Sequence, residues 1–164
     1  MTRTPQENKF LAIYLNDHLG GATGGLQLAR RLVANNKGVD EFVVPLRRVC
    51  REIEEDRAAL EQVMERLGFA RGKVKPLGAW VAEKFSRLKL NGNLWRYSPL
   101  SRLLELESLQ MGVTGKMELW RTLIAVPGSE RADIDFERFA GRASVQLATL
   151  EDLHRRAAQL LASH

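Results

Sequence analysis

The chain has 164 residues, of which 45% are hydrophobic and 27% charged, a length and composition that suit one globular domain with a sizeable core. No apolar run reaches the roughly 20 residues needed to span a bilayer, the leading MTRTPQENKF has no apolar signal-peptide core, and a single cysteine, Cys50, excludes an intrachain disulfide framework and suits a reducing compartment. The expected location is the cytoplasm, and the net charge of +5 is uneven: residues 66–102 hold nine Lys/Arg against Glu83 alone, while the remainder holds 16 basic and 19 acidic residues.

The periodicity predicts helices throughout, with apolar residues recurring every three or four positions. The first helix, about residues 7–34, carries a stripe of Leu11, Leu15, Ala22, Leu26, Ala29 and Val33. Asn35-Asn36-Lys37-Gly38 is a turn. Asp40 is the expected cap of a second helix, about 40–67, with Phe42, Leu46, Val49, Ile53, Leu60, Met64 and Leu67 on one side. Gly68 closes that helix. A short helix, about 77–90, is expected in the connection that follows. Ser98-Pro99 then opens a third helix, about 99–125, through a capping serine and a proline at the first helical position. Its stripe holds Leu103, Leu106, Val113, Met117, Trp120 and Ile124. Pro127-Gly128-Ser129 ends it. Asp133 or Asp135 caps a fourth helix, about 134–162, with a stripe of Phe136, Ala140, Ala143, Leu147, Leu150, Ala157 and Leu161. Two antiparallel helical hairpins joined by a long connection predict an all-α four-helix bundle in a single domain, 1–164, because amphipathic helices are stable chiefly through their buried faces.

Four glycines, Gly20, Gly21, Gly24 and Gly25, interrupt the first helix. Each weakens a helix by up to about 1 kcal/mol relative to alanine, so they call for a reason. The expected one is close approach of another helix or a local break. A phosphate-cradling loop is the sharper reading, but the spacing does not fit it, because no Gly-Lys-Ser/Thr follows and no strand precedes.

Several polar residues fall on or beside the apolar stripes. His18 lies between Leu15 and Ala22, and Asp56 beside Ile53 and Leu60. Their distances from the first turn place them opposite one another. Glu107 and His154 have matching distances from Glu130, so the second hairpin repeats the pattern. Glu151-x-x-His154 would set two ligands on one helical face, whereas the second helix offers Glu52-x-x-Glu55-Asp56 without a histidine. Such residues either form hydrogen-bonded ion pairs or bind a metal in the bundle core. Cys50 sits on the apolar side of its helix as a small hydrophobe, and no nucleophilic catalytic set is evident.

The basic segment carries Lys73, Lys75, Trp80, Lys84, Arg87, Lys89 and Arg96. It is read as a surface for anions or partners: an acidic protein, a second copy in a homodimer, a nucleic-acid backbone, or an anionic membrane surface. The acidic run Glu52-Ile53-Glu54-Glu55-Asp56 is a candidate complement.

The two hairpins, the long link and the inward carboxylates and histidines resemble the ferritin-like superfamily, over roughly residues 8–162. That resemblance implies iron or manganese held by His18, Asp56, Glu107, Glu151 and His154. A full crossover in the link would leave Glu107 roughly 15 Å in height from His18, whereas an up-down-up-down chain would bring the two pairs together. The residues themselves predict a non-enzymatic binding or structural protein that uses 66–102 as its interaction surface, with metal binding and nucleic-acid association as alternatives.

Overall fold

The computed structural model describes residues 5–72 and 97–161. They form four long helices: α1 (Pro5–Asn35), α2 (Asp40–Arg66), α3 (Pro99–Ala125) and α4 (Phe136–Leu161), with a 3-10 turn at Ser129–Ala132 between α3 and α4. No strand occurs among the described residues, and no described helix is long and apolar enough to cross a membrane. The expected short helix at 77–90 lies outside the described residues.

Local chemistry explains the boundaries. Gly38 adopts φ +88° in the first turn, a conformation open to glycine without steric strain. Gly68, at φ +75°, closes α2. There the Phe69 N–H bonds to the Met64 carbonyl at 2.8 Å and the Gly68 N–H to Glu65 at 3.0 Å, the paired bonds of a Schellman cap. Ser98 caps α3 by accepting from the Ser101 N–H at 3.1 Å. Asp135 caps α4 by accepting from the Arg138 N–H at 2.9 Å. The expected cap at Asp40 is corrected: Val39 holds the N-cap position without a side-chain bond, and Asp40 is the first helical residue, where its charge suits the positive helix end. The glycine run causes no break, since α1 is continuous from Pro5 to Asn35.

α1 packs on α2 and α3, and α4 packs on α3 and α2. Tyr14 meets Thr122 and Arg31 meets Glu105, so α1 and α3 run antiparallel. Arg156 reaches Glu41 and Arg142 reaches Glu55, so α2 and α4 do too. The topology is therefore up-down-down-up. The chain leaves α2 beside Asn16, which accepts from the Gly72 N–H at 2.7 Å, and returns at Tyr97 beside Asn36, at the opposite end of α1. The 27 residues of α3 span about 40 Å between those ends.

The core has two apolar clusters. One gathers Leu26, Leu32, Phe42, Leu46, Leu106 and Leu150. The other gathers Leu15, Leu60, Met64, Trp120, Phe136 and Phe139, with Trp120 stacked on Phe139 at 4.8 Å between ring centres. The predicted stripes are buried along most of their length, but Ile124 and Leu161 are exposed; at the end of α3 it is Leu123, not Ile124, that faces the core.

Where α1 ends, Asn36 is fully buried. Its side chain donates to the Leu32 carbonyl at 2.8 Å and to the Tyr97 hydroxyl at 3.3 Å, and accepts from Arg102 Nε at 2.6 Å. Tyr97 donates to Glu105 at 3.0 Å, and Arg31 pairs with Glu105 at 2.7 Å. Burial pushes both the Glu105 carboxyl and the Tyr97 phenol above their ordinary values; Arg31 opposes the first shift, while the Glu105 charge adds to the second. This network joins the first turn to the start of α3.

Candidate functional site

A cavity of about 390 Å³ opens between α1, α2 and α3. Ile53, Leu109 and Val113 of one core cluster and Leu60, Leu119 and Trp120 of the other line it, so it lies between the two. Its walls carry glycines from two facing helices, Gly21 and Gly25 of α1 and Gly112 and Gly115 of α3. A Cβ built on any of the four meets nothing within 4 Å beyond the adjoining backbone of its own helix. This corrects the expectation of close packing for Gly21 and Gly25: the missing side chains leave space rather than bring a helix closer.

Beside the cavity, α2, α3 and α4 are joined by buried polar groups. Asp56, 2% exposed, accepts from Lys116 through Oδ2 and from Arg142 through Oδ1. Lys116 also donates to Gln146 Oε1. Gln146, itself buried, donates to Glu52 at 3.0 Å, and Arg142 donates to Glu55 at 2.7 Å. Burial pulls the Lys116 ammonium below the ordinary lysine range, and Asp56 opposes that shift. A buried charge is tolerated only when paired and hydrogen-bonded, and this network supplies both for Asp56.

His18 also lines the cavity. Its ring meets Tyr14 edge-on at 4.5 Å, and Tyr14 donates to Thr122 at 3.1 Å. Burial lowers the His18 pKa, with Asp17 opposing. The imidazole on this apolar wall therefore favours its neutral form.

The structure distributes the candidate metal residues over three places. His18 and Asp56 line the same cavity, as their matching levels predict, but Asp56 bonds to Lys116 and Arg142. Glu107 and His154 meet at 3.0 Å on a partly exposed face of α3 and α4, with side chains 44% and 33% exposed. Glu151 is exposed on α4. The contacts of Tyr14 with Thr122 and Arg31 with Glu105 put His18 level with Glu118, roughly 16 Å along the axis from Glu107 by helical rise. The crossover thus keeps the two pairs apart. Among the described residues, no three His, Cys, Asp or Glu side chains gather around one point.

The candidate partner residues Lys73, Lys75, Trp80, Lys84, Arg87, Lys89 and Arg96 lie outside the described residues. The described cations of 66–102 bind within the bundle: Arg66 donates to the Ala132 and Asp133 carbonyls at 2.7 and 2.9 Å, Arg71 lies 3.6 Å from Glu61, and Arg102 stacks on Phe42. The acidic run of α2 has partners elsewhere: Glu54 pairs with Arg30 at 2.6 Å, and Glu52 lies 3.9 Å from Arg48.

Sequence reasoning passed over Lys116, Arg142, Gln146, Gly112 and Gly115. Their signal was positional: Lys116 follows Leu109 by seven residues, and Gln146 precedes Leu150 by four, so both fall on core stripes.

No protein-family model, curated protein or solved structure matches this chain. Function is therefore argued from the site alone.

Proposed function

We propose that this protein is a binding protein that takes a small, mostly apolar molecule into the cavity between α1, α2 and α3. The observation that carries this reading is the space beside Gly21, Gly25, Gly112 and Gly115. Four glycines within two long helices weaken both, and with nothing to approach them their effect is to leave room. The volume falls in the range of small-molecule sites, which are largely apolar with a few polar groups to fix orientation. The test is titration with a neutral apolar fluorophore, N-phenyl-1-naphthylamine, against the wild type and Gly112→Leu. Saturable binding at one site in the wild type, lost in the variant while its thermal transition persists, supports the reading. Equal binding by both refutes it.

A second reading rests on charge. The excess of Lys/Arg over acid in 66–102 favours an anionic partner, a nucleic-acid backbone or an acidic protein, held through Lys73, Lys75, Trp80, Lys84, Arg87, Lys89 and Arg96. Binding to a duplex oligonucleotide that weakens linearly in log–log fashion with salt supports the nucleic-acid form. Salt-independent or absent binding refutes that form.

A further inference from the structure

The polar side chains around the cavity are almost all engaged. Asp56 is taken by Lys116 and Arg142, Lys116 is shared with Gln146, and Arg142 also meets Glu55 at 2.7 Å. Arg57 donates to Thr23 at 3.3 Å and to Glu61 at 2.8 Å. Tyr14 donates to Thr122 at 3.1 Å. Asp17 is exposed, at the solvent side.

His18 is the exception. It lines the cavity and makes no hydrogen bond among the described residues. It is half-buried, and its ring nitrogens, unlike the Trp120 indole nitrogen, are not sealed within the protein. Tyr14 meets the ring edge-on at 4.5 Å, so the imidazole has its place before anything enters. Gly21 and Gly25 follow His18 by three and seven residues and therefore share its side of α1. A body lying along these glycines meets the imidazole at one end, about 10 Å from Gly25 by helical rise.

Charge and hydrogen-bonding capacity together select the polar group of such a molecule. A charge taken into an apolar space is costly unless it finds a partner there. An anion finds no unpaired cation, because Lys116 and Arg142 already hold Asp56, and Arg142 holds Glu55 as well. A cation finds Asp56 occupied, and the exposed Asp17 offers only a solvated pair, which contributes little. The enclosed group is thus uncharged. Burial favours the neutral imidazole, which has one donor and one acceptor. A hydroxyl also both donates and accepts, so it suits either tautomer of His18, whereas an ether or a carbonyl only accepts.

We infer that the molecule taken up is an uncharged apolar alcohol, its ring or branched body beside the glycines and its hydroxyl bonded to His18. This rests on the proposed cavity function and adds the chemistry of the ligand to it. A hydrogen bond between neutral groups should change Kd by roughly two- to tenfold.

Four probes of similar shape test it by calorimetry: 2-(1-naphthyl)ethanol, 1-ethylnaphthalene, 2-(1-naphthyl)ethylamine and 1-naphthaleneacetate. In the wild type the alcohol should bind more tightly than the amine and the acid, a comparison that needs no variant. His18→Leu should lower the affinity of the alcohol relative to the hydrocarbon by roughly two- to tenfold. His18→Gln, which keeps a donor and an acceptor, should retain most of the wild-type ratio. An alcohol-to-hydrocarbon ratio that is the same in wild type and His18→Leu overturns the inference. So does tighter binding of the amine, through Asp17, or of the acid, through Lys116. In each of these cases loss of binding in Gly112→Leu leaves the cavity function standing. Binding by none of the four overturns both.

Discussion

Replacing Gly21, Gly25, Gly112 and Gly115 by alanine tests whether these positions hold open space. None of the four has a positive φ, so alanine fits each backbone, and nothing beyond the adjoining backbone of its own helix lies within 4 Å of the added methyl. Each replacement should then stabilise its helix by about 0.5–1 kcal/mol. The helix-propensity gains sum to about 2–4 kcal/mol for the quadruple variant. For a chain of this length that is a rise of roughly 4–16 °C in Tm. Circular dichroism during heating and in a urea series reads both quantities, and an unchanged denaturant m-value would confirm that the folded state is the same. A quadruple variant no more stable than wild type, or any single replacement that destabilises by more than about 1 kcal/mol, would mean that the helices touch at these glycines, and the cavity argument would fail with it. A stabilised variant with weaker apolar-probe binding is the signature of residues kept for function against stability.

Asp56→Ala leaves Lys116 and Arg142 facing one another in a buried space and should destabilise by about 3–5 kcal/mol in urea unfolding. Replacing Asp56, Lys116 and Arg142 together by apolar residues of similar volume should recover most of that loss, and a triple variant as unstable as Asp56→Ala would contradict the account. Burial holds the His18 pKa below its ordinary 6.5, so the folded chain binds fewer protons than the unfolded one: its contribution is fully present above 6.5 and is lost as the pH falls through the folded value. The Tm of wild type should therefore drop more between about pH 7.5 and about pH 5 than that of His18→Gln, and parallel curves would exclude His18 as the cause. Asn36→Ala removes the acceptor for Arg102 and the donor to Leu32 and Tyr97, which should lower stability by about 1–3 kcal/mol; a value near zero in chemical denaturation would mean that water replaces all three bonds.

The parts legible in the sequence are those decided locally. Gly38, Gly68, Ser98 and Asp135 act through their own backbone or through bonds to residues one to five positions away, so residue type and spacing suffice to read them. Asp40 departs from the expected cap because Val39, with no capping side chain, holds that position. The shared level of His18 and Asp56 is also legible, since it follows from helical period and distance to the turn. Their partners were not. Which helix faces Asp56 depends on how the hairpins dock, and the cations that meet it come from α3 and α4. Lys116 sat on its stripe in plain view, but lysine is usually solvated. The glycines suggest a close contact or a local break because spacing alone does not distinguish either from emptiness. Glu107 and His154 meet at their matched level, yet their side chains lie at a partly exposed seam.

The crossover has a kinetic consequence. Tyr14 and Thr122 are 108 positions apart in sequence, and Asn36 and Tyr97 are 61, whereas α1 meets α2, and α3 meets α4, across connections of four and ten residues. Each hairpin can therefore form early through local pairing, and their mutual docking becomes the slow, entropically demanding step. The cavity lies on that seam, walled by α1 and α2 on one side and α3 on the other. Anything that occupies it grips both halves at once. Such an occupant would act as a clamp on the assembled pair, slowing separation of the hairpins far more than it hastens their meeting, and would lengthen the lifetime of the folded chain.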